Sequence, residues 1–361
     1  MWSYSNPVRV EFGAGVLSRV ASSIGGRRWA LVTYDLPAFK AKAAEIASTA
    51  GKPVVTIDNI VANPDFADLT DSCRQYAEAE STPEVIVALG GGSIIDAAKV
   101  LAACDGSFNN VRNHLTARTP LNPSRITPII AVPSTAGTGS EVTSWATVWD
   151  SANGAKYSLA NPGLYPEVAI VDPALALGAP HALTLTTGLD ALSHALESIW
   201  NVSANPVSAT FAVEAAREVL NVLPALMQDL TNLDLRSRQA RAALFAGLAF
   251  SNTRTALAHN ISYDITLKQG TPHGIACSFC LPTVMQWSIG CDPVCDGNLR
   301  KIFGEDLRAA PDGLRIFIEG LGISTDPSAY GLNSNEWRVL VERAMAGERG
   351  RNFIGRADLA A

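Results

Sequence analysis

The texture of the chain changes once along its length, and that change limits the folds open to it. Up to about residue 179, short β-branched runs alternate with amphipathic helices. "RWALVTYD" (28–35) reads as a strand, "KAKAAEIASTAG" as a helix and "PVVTID" (53–58) as a second strand. A helix is expected at 66–80, followed by the strand "EVIVALG" (84–90), a helix opened by "GGSIIDAAKVLAA" and a buried run, "ITPIIAVPS" (126–134). Strands separated by helices predict a parallel, doubly wound sheet. From about 180 the apolar spacing becomes helical, in "TLTTGLDALSHALESIW", "VSATFAVEAAREVLNVLPALMQDL", "LRSRQARAALFAGLAFSNTRTALAHNISYDITL" and the stretch from 313 onward. The expectation is an α/β domain with a Rossmann-like parallel sheet over 1–179 and an all-helical domain over 180–361. The break is placed near Ala179 and Pro180, after the last extended segment "EVAIVDP".

A length of 361 residues also suits two cores better than one. A net charge of −6 without basic clustering argues against nucleic acid as a partner. No apolar run reaches the roughly 18 residues a membrane span needs. The first residues, "MWSYSNPVRVEFG", lack the basic-then-apolar order of a signal peptide, so a cytoplasmic address is expected. Cys277, Cys280, Cys291 and Cys295 have a C-x2-C…C-x3-C spacing that structural zinc uses. "GIACSFCLP" is apolar throughout, however, so reduced, buried thiols are the expectation.

"VIVALGGGSIIDAAKV" runs from a strand through three glycines into a helix. Glycines there let an anion approach the main chain, where the free N–H groups and positive end of the helix face it. Ser93 adds a hydroxyl, and Asp96 lies one turn in, placed to cap the helix or meet a polar cofactor group. The spacing is not G-x-G-x-x-G, and a tight turn that binds nothing would look similar. A second polar, Gly-rich segment, "PSTAGTGSEVTSWATV" (133–148), follows another buried run and offers Ser134, Thr135, Thr138, Ser140 and Thr143. Two such turns at the strand ends of one sheet are where α/β proteins place nucleotides.

In "TGLDALSHALESIWN", Asp190 and His194 are four residues apart, so on a helix they share a face about 6 Å apart. Their neighbours are apolar, and burying both without partners would cost several kcal/mol, on the order of 2–7 each. They need each other, a neighbour or a metal. Of the other histidines, His259 lies in "TALAHNISYD" and His273 in "GTPHGIACSF". A straight helix would hold these two about 21 Å apart. Gly270 and Pro272 stop the helix between them, which allows the chain to turn back. One carboxylate and three imidazoles would suit Fe(II) or Zn(II) with a position left open.

Taken together, "GGGSIIDAAK", "PSTAGTGSE", "GLDALSHALE" and "AHN…PHG" resemble the iron-containing (group III) alcohol dehydrogenases, which have the dehydroquinate-synthase-like fold. The resemblance runs from "VRVEFGAGVL" to beyond the "PHG" helix. It implies that Asp190, His194, His259 and His273 are metal ligands and that Gly91, Gly92 and Ser93 form the pyrophosphate-binding turn. It implies further that Ser134, Thr135 and Thr143, with Asp96 and Leu175 nearby, contact NAD or NADP. The implied activity is NAD(P)H-linked reduction of an aldehyde, or the reverse oxidation of an alcohol, by a homodimer.

Two positions depart from the family pattern. Tyr263 stands where a histidine often follows the third ligand by four residues, which makes the tyrosine a candidate proton donor. After the first strand, Tyr34 occupies the place where many NAD-preferring members carry an acid, and Asp35 follows it, so the choice of NAD or NADP stays open. Within the family, "SLANPGLYPEVAIVDP" and "TRTALAHNISYDITLKQGTPHGIACSF" look most like phosphonoacetaldehyde reductases, which make 2-hydroxyethylphosphonate. A dianionic substrate would need cations, and Lys156, Arg254 and Lys268 lie close in sequence to the metal and cofactor motifs, although surface charge is the commoner role for each. Three other readings share parts of the pattern. Dehydroquinate synthase would need more Lys and Arg at the site than these motifs carry. A maleylacetate reductase would deliver hydride to an alkene, whereas an intact set of Asp and three His speaks for carbonyl chemistry. A sensor would bind metal and nucleotide without turnover.

Overall fold

The computed structural model describes residues 1–121 and 123–355. The chain forms two compact units, one of Pro7–Thr135 with Ser140–Gly178, the other of Met1–Asn6, Ala136–Gly139 and Ala179 onward. The helical unit thus takes in two short segments that fall before residue 179.

The strands of the first unit are β1 (Arg9–Phe12), β2 (Trp29–Val32), β3 (Val55–Ile57), β4 (Val85–Gly90), β5 (Ile129–Pro133), β6 (Trp145–Asp150), β7 (Ala155–Ala160) and β8 (Val168–Val171). Six of them make a parallel sheet in the order β1-β8-β5-β4-β2-β3. Side-chain alternation along β4 and β5 explains why both read as unbroken apolar runs. Ile86, Ala88, Ile129 and Ala131 enter the core under helices Phe66–Ala77 and Gly92–Ala103. Val85, Val87, Leu89, Ile130 and Val132 enter a separate core with Val20, Ile24 and Ile46 from helices Arg19–Ile24 and Pro37–Ala50. Both faces are covered, and each buried Val or Ile stabilises by about 1.5–3 kcal/mol.

Two features escaped the sequence reading. β1 is a four-residue edge strand with no fully buried position. β6 starts inside the polar segment 133–148 and pairs antiparallel with β7, which lies beyond it, and Thr147 and Lys156 interrupt the apolar character of the two strands. Gly154, at φ 59°, lies in the turn that joins them.

The second unit is built around helices His181–Ile199, Pro206–Gln228 and Leu233–Thr253, whose Leu189, Leu192, Leu196, Val219, Leu223 and Ala246 share one core. The helical periodicity across 235–267 is broken in the structure. One helix ends at Thr253 and the next, Leu257–Gln269, begins after Arg254 adopts φ 64°. Among the described residues no helix is long and apolar enough to cross a membrane.

Candidate active site

Asp190, His194 and Glu197 form a stripe on the helix His181–Ile199, spaced i, i+4 and i+7, and all three are buried. The His194 Nε2 lies 3.8 Å from Asp190 Oδ1, and its ring stacks on Phe250 at 4.1 Å between centroids, 6° from parallel. On the other side it stacks on His259 at 4.6 Å, which brings the second segment to the first.

The position of His259 follows from the break at Arg254. Asn201 Nδ2 donates to the Arg254 carbonyl at 3.2 Å, and the Ala256 N–H donates to Glu197 Oε2 at 2.9 Å. No side chain of its own sequence caps the helix Leu257–Gln269, and Glu197 takes over part of that duty. Its Oε1 accepts from the His259 N–H at 3.1 Å, and its Oε2 lies 2.6 Å from His259 Nδ1. That bond fixes the ring and leaves Nε2 facing Asp190, 3.6 Å from Oδ1.

His273 opens the short helix His273–Ser278, with its ring centroid 5.4 Å from that of His259. Glycine is needed at the next position. A Cβ on Gly274 would lie 1.9 Å from the Thr186 carbonyl oxygen, so only glycine lets this helix approach His181–Ile199 so closely. One turn further, Cys277 Sγ lies 3.6 Å from His273 Nε2. Asp190, His259, His273 and Cys277 each offer a donor atom, and these four atoms lie within 4.8 Å of one another. His194 stands beside this group and outside it.

Charge is distributed unevenly over these side chains. Burial works to raise the Asp190 carboxyl, but His194, His259 and His273 overcome it and hold it well below the usual carboxylate range. Burial lowers His194 to about 4. It also works to lower His259, but Cys277, Glu197 and Asp190 outweigh it and hold that imidazole well above its ordinary value. Glu197 is held below its usual value because His259 and two backbone N–H groups outweigh burial. Of the buried polar atoms of these side chains, Asp190 Oδ1, His194 Nδ1 and His259 Nε2 have no hydrogen-bond partner. Each such atom costs about 1–3 kcal/mol unless something satisfies it. A divalent cation would satisfy Asp190 Oδ1 and His259 Nε2 together, with His194 Nε2 facing the same carboxylate oxygen, and the oxygen and nitrogen donors fit Fe(II) or Zn(II).

In the sheet unit, β4, β5 and β8 are adjacent and parallel, so their carboxyl ends share one edge of the sheet. That edge gathers most of the expected nucleotide residues. No side chain caps helix Gly92–Ala103. A Cβ on Gly91 would lie 3.4 Å from both Thr135 side-chain branches and 3.5 Å from the Tyr34 hydroxyl. The Ser134 N–H donates to the Gly90 carbonyl at 2.9 Å, and Ser93 Oγ accepts from the Asn63 N–H at 3.2 Å. Leu175 follows β8 in the short helical turn Pro173–Ala176 and packs, partly buried, against the sheet core. Asp35 is exposed and ion-paired with Lys40.

Asp96 and Thr143 are engaged elsewhere. Asp96 accepts from Ser140 Oγ at 2.5 Å and from the Thr147 N–H at 2.8 Å. Lys99, fully buried, donates to Ser140, Thr143 Oγ1 (3.1 Å) and the Trp145 carbonyl (2.8 Å). Burial lowers this lysine to about 8 against the pull of Asp96 and Glu141. Both residues therefore anchor β6 to the helix behind the turn.

The cations named from sequence are scattered. Arg254 is exposed and pairs with Glu348 at 3.4 Å, while Lys268 pairs with Asp264 at 2.9 Å. Lys156 lies 5.1 Å from the centre of the Trp149 ring in the sheet unit. Arg349, which sequence reasoning missed, stands 5.5 Å over the Tyr263 ring, one helical turn from His259, and donates to Thr255 Oγ1. Burial raises the Tyr263 hydroxyl above its ordinary value, although Arg349 and His259 pull the other way. Glu197 and Cys277 were also missed as site residues. Glu197 continues the Asp190–His194 stripe by three positions, a signal visible in "ALE".

The cysteines do not come together as a group of four. Cys277, Cys280 and Cys295 are buried free thiols, and Cys291 is free but exposed, unlike the expectation for it.

Comparison with known proteins covers both units. Residues 7–173 match the family described as iron-containing alcohol dehydrogenase, and 184–354 match the C-terminal part of the Fe-containing alcohol dehydrogenase family. A 1,3-propanediol dehydrogenase from Citrobacter freundii is 31% identical over 85% of this chain and 80% of its own length. A sulfoacetaldehyde reductase from Bilophila wadsworthia is 28% identical over 80% of this chain and 77% of its own. The crystal structure of sulfoacetaldehyde reductase from Bifidobacterium kashiwanohense in complex with NAD+ superimposes with a TM-score of 0.90 at 28% identity, covering 100% of this chain and 96% of that one. The helical stripe of acid and imidazole and the glycine turn at the sheet edge thus sit in a chain that belongs to the iron-containing alcohol dehydrogenase family.

Proposed function

We propose that this protein reduces a small anionic aldehyde to its primary alcohol with NADH or NADPH, and that phosphonoacetaldehyde, giving 2-hydroxyethylphosphonate, is the substrate. The observation that carries the reading is the pair of buried, partnerless donor atoms Asp190 Oδ1 and His259 Nε2, 3.6 Å apart, with His194 Nε2 3.8 Å from the same carboxylate oxygen. Asp190, His194, His259 and His273 would hold Fe(II) or Zn(II), an ion that supplies Lewis acidity toward a carbonyl oxygen. Reduced nicotinamide supplies the hydride.

The chain's own groups do the rest. Backbone N–H groups at Gly91, Gly92 and Ser93 bind the pyrophosphate at an uncapped helix start. Ser134 and Thr135 line the adjoining turn and orient the dinucleotide. Glu197 holds the His259 ring. Tyr263 keeps its proton at neutral pH because burial raises it, and it donates that proton to the product oxygen. Arg349, stacked on Tyr263, gives the site a fixed positive charge for the substrate's phosphonate. The relatives named sulfoacetaldehyde reductase support a charged aldehyde. The protein would act in the cytoplasm as a homodimer.

The test is an NADH and NADPH oxidation screen after loading with Fe(II) or Zn(II), comparing phosphonoacetaldehyde and sulfoacetaldehyde with propionaldehyde. The reading expects kcat/KM at least about tenfold higher for an anionic aldehyde, equivalent to about 1.4 kcal/mol. Equal values would remove the charged substrate and leave a general alcohol dehydrogenase. No turnover with any aldehyde would remove the enzyme.

A further inference from the structure

The acid-and-imidazole set leaves one neighbouring donor unexplained. Cys277 is fully buried, carries a free thiol and lies one helical turn beyond His273. Its Sγ is 3.6 Å from His273 Nε2 and 3.7 Å from Nδ1, contacts too long and too symmetric about the ring to mark one strong hydrogen bond. Its sulfur belongs to the compact group with Asp190, His259 and His273, all donor atoms within 4.8 Å, from which His194 is absent. Two members of that group, Asp190 Oδ1 and His259 Nε2, are buried and have no hydrogen-bond partner. A packing role alone would not direct the sulfur toward these atoms.

We propose that Cys277 is itself a metal ligand, so that the ion is held by sulfur as well as by oxygen and nitrogen. The proposal rests on the metal reading given under Proposed function and adds to it a donor of different chemistry. On binding, the S–H bond breaks, the proton leaves to solvent and a sulfur–metal bond forms, with no change of oxidation state. Thiolate is a soft donor and shifts a mixed nitrogen–oxygen site toward Zn(II) and away from Fe(II). His194, stacked between Phe250 and His259 with its Nε2 3.8 Å from Asp190 Oδ1, stays an imidazole donor of the same centre.

Cobalt(II) reports on this directly, because a Co(II)–thiolate bond gives an intense near-ultraviolet charge-transfer band that nitrogen and oxygen donors do not. The full-length protein is loaded with Co(II), bound metal is counted after gel filtration, and the absorption spectrum is recorded. The same is done for Cys277→Ser and for Cys277→Ala, the second being the variant without a polar atom. Wild type should show both the visible bands of bound Co(II) and the charge-transfer band. Each variant should keep the visible bands and lose the other, and the Zn(II)-over-Fe(II) preference in competition should fall at least about tenfold. Bound Co(II) without the charge-transfer band in wild type, or a band that survives both substitutions, overturns the sulfur ligand and leaves the acid-and-imidazole site standing. Failure of wild type to retain Co(II) at all overturns both.

Discussion

Glu197 Oε2 lies 2.6 Å from His259 Nδ1, and the same carboxylate accepts from the main-chain N–H groups of Ala256 and His259. The ring of His259 is therefore oriented from behind by an acid on a neighbouring helix. Glu197→Gln keeps the size and removes the charge that polarises the imidazole. Metal affinity, measured by competition with a chromophoric chelator, should weaken about 10–100-fold, and the metal-free protein should also lose about 1–3 kcal/mol because the new amide nitrogen faces a buried N–H donor. Unaltered affinity would show that the carboxylate serves only as a helix cap.

The buried, partnerless atoms Asp190 Oδ1 and His259 Nε2 make metal a stabilising ligand of the fold. At free metal near a thousand times Kd, binding adds about 4 kcal/mol to stability. Dialysis against a chelator should lower the unfolding temperature, and Zn(II) or Fe(II) should restore it. His259→Ala should melt at one temperature with or without metal. A wild-type protein indifferent to chelation would remove the metal centre.

How much of this was legible in sequence depends on how far each contact reaches along the chain. Asp190 and His194 could be paired from one helix, because the 3.6-residue period fixes their common face. The same period reaches Glu197, yet glutamate near a helix end reads by default as a solvated charge, and only the Ala256 and His259 N–H groups explain its burial. Cys277 was grouped with other cysteines by spacing, whereas tertiary packing set it beside His273. Arg349 meets Tyr263 across a long stretch of chain that no local pattern spans. In the sheet unit, β4 and β5 announced themselves through two-sided burial. The half-exposed β1 and the β6–β7 hairpin lack that signature.

The glycine turn separates two kinds of substitution. A Cβ at Gly90 would fall 2.4 Å from Ile94 Cγ1, so Gly90→Ala should destabilise the sheet unit by about 1–3 kcal/mol in denaturant titrations. At Gly91 the nearest atoms to an added Cβ are 3.4 Å away, and Gly91→Ala should fold. Its methyl group would stand in the approach to the main chain, and NADH affinity measured by fluorescence should fall at least about tenfold, or 1.4 kcal/mol. Metal content should not change. Wild-type NADH affinity in Gly91→Ala would place the dinucleotide elsewhere.

Arg349 stands over the Tyr263 ring, 5.5 Å from its centre. Arg349→Met keeps much of the aliphatic stem and removes the guanidinium. KM for phosphonoacetaldehyde should rise at least about tenfold, about 1.4 kcal/mol, with propionaldehyde kinetics little affected. Parallel losses on both substrates would make Arg349 a structural support for Tyr263.

Because one carboxylate grips both an imidazole and the first peptide groups of a helix, a disturbance of the ring is transmitted to the backbone. When the centre empties or its donors oxidise, the amide protons of Ala256 and His259 should exchange with deuterated solvent faster than those deeper in the same helix. Mass spectrometry of a single peptide would then track the state of the centre in ageing preparations, without substrate and without a spectrum.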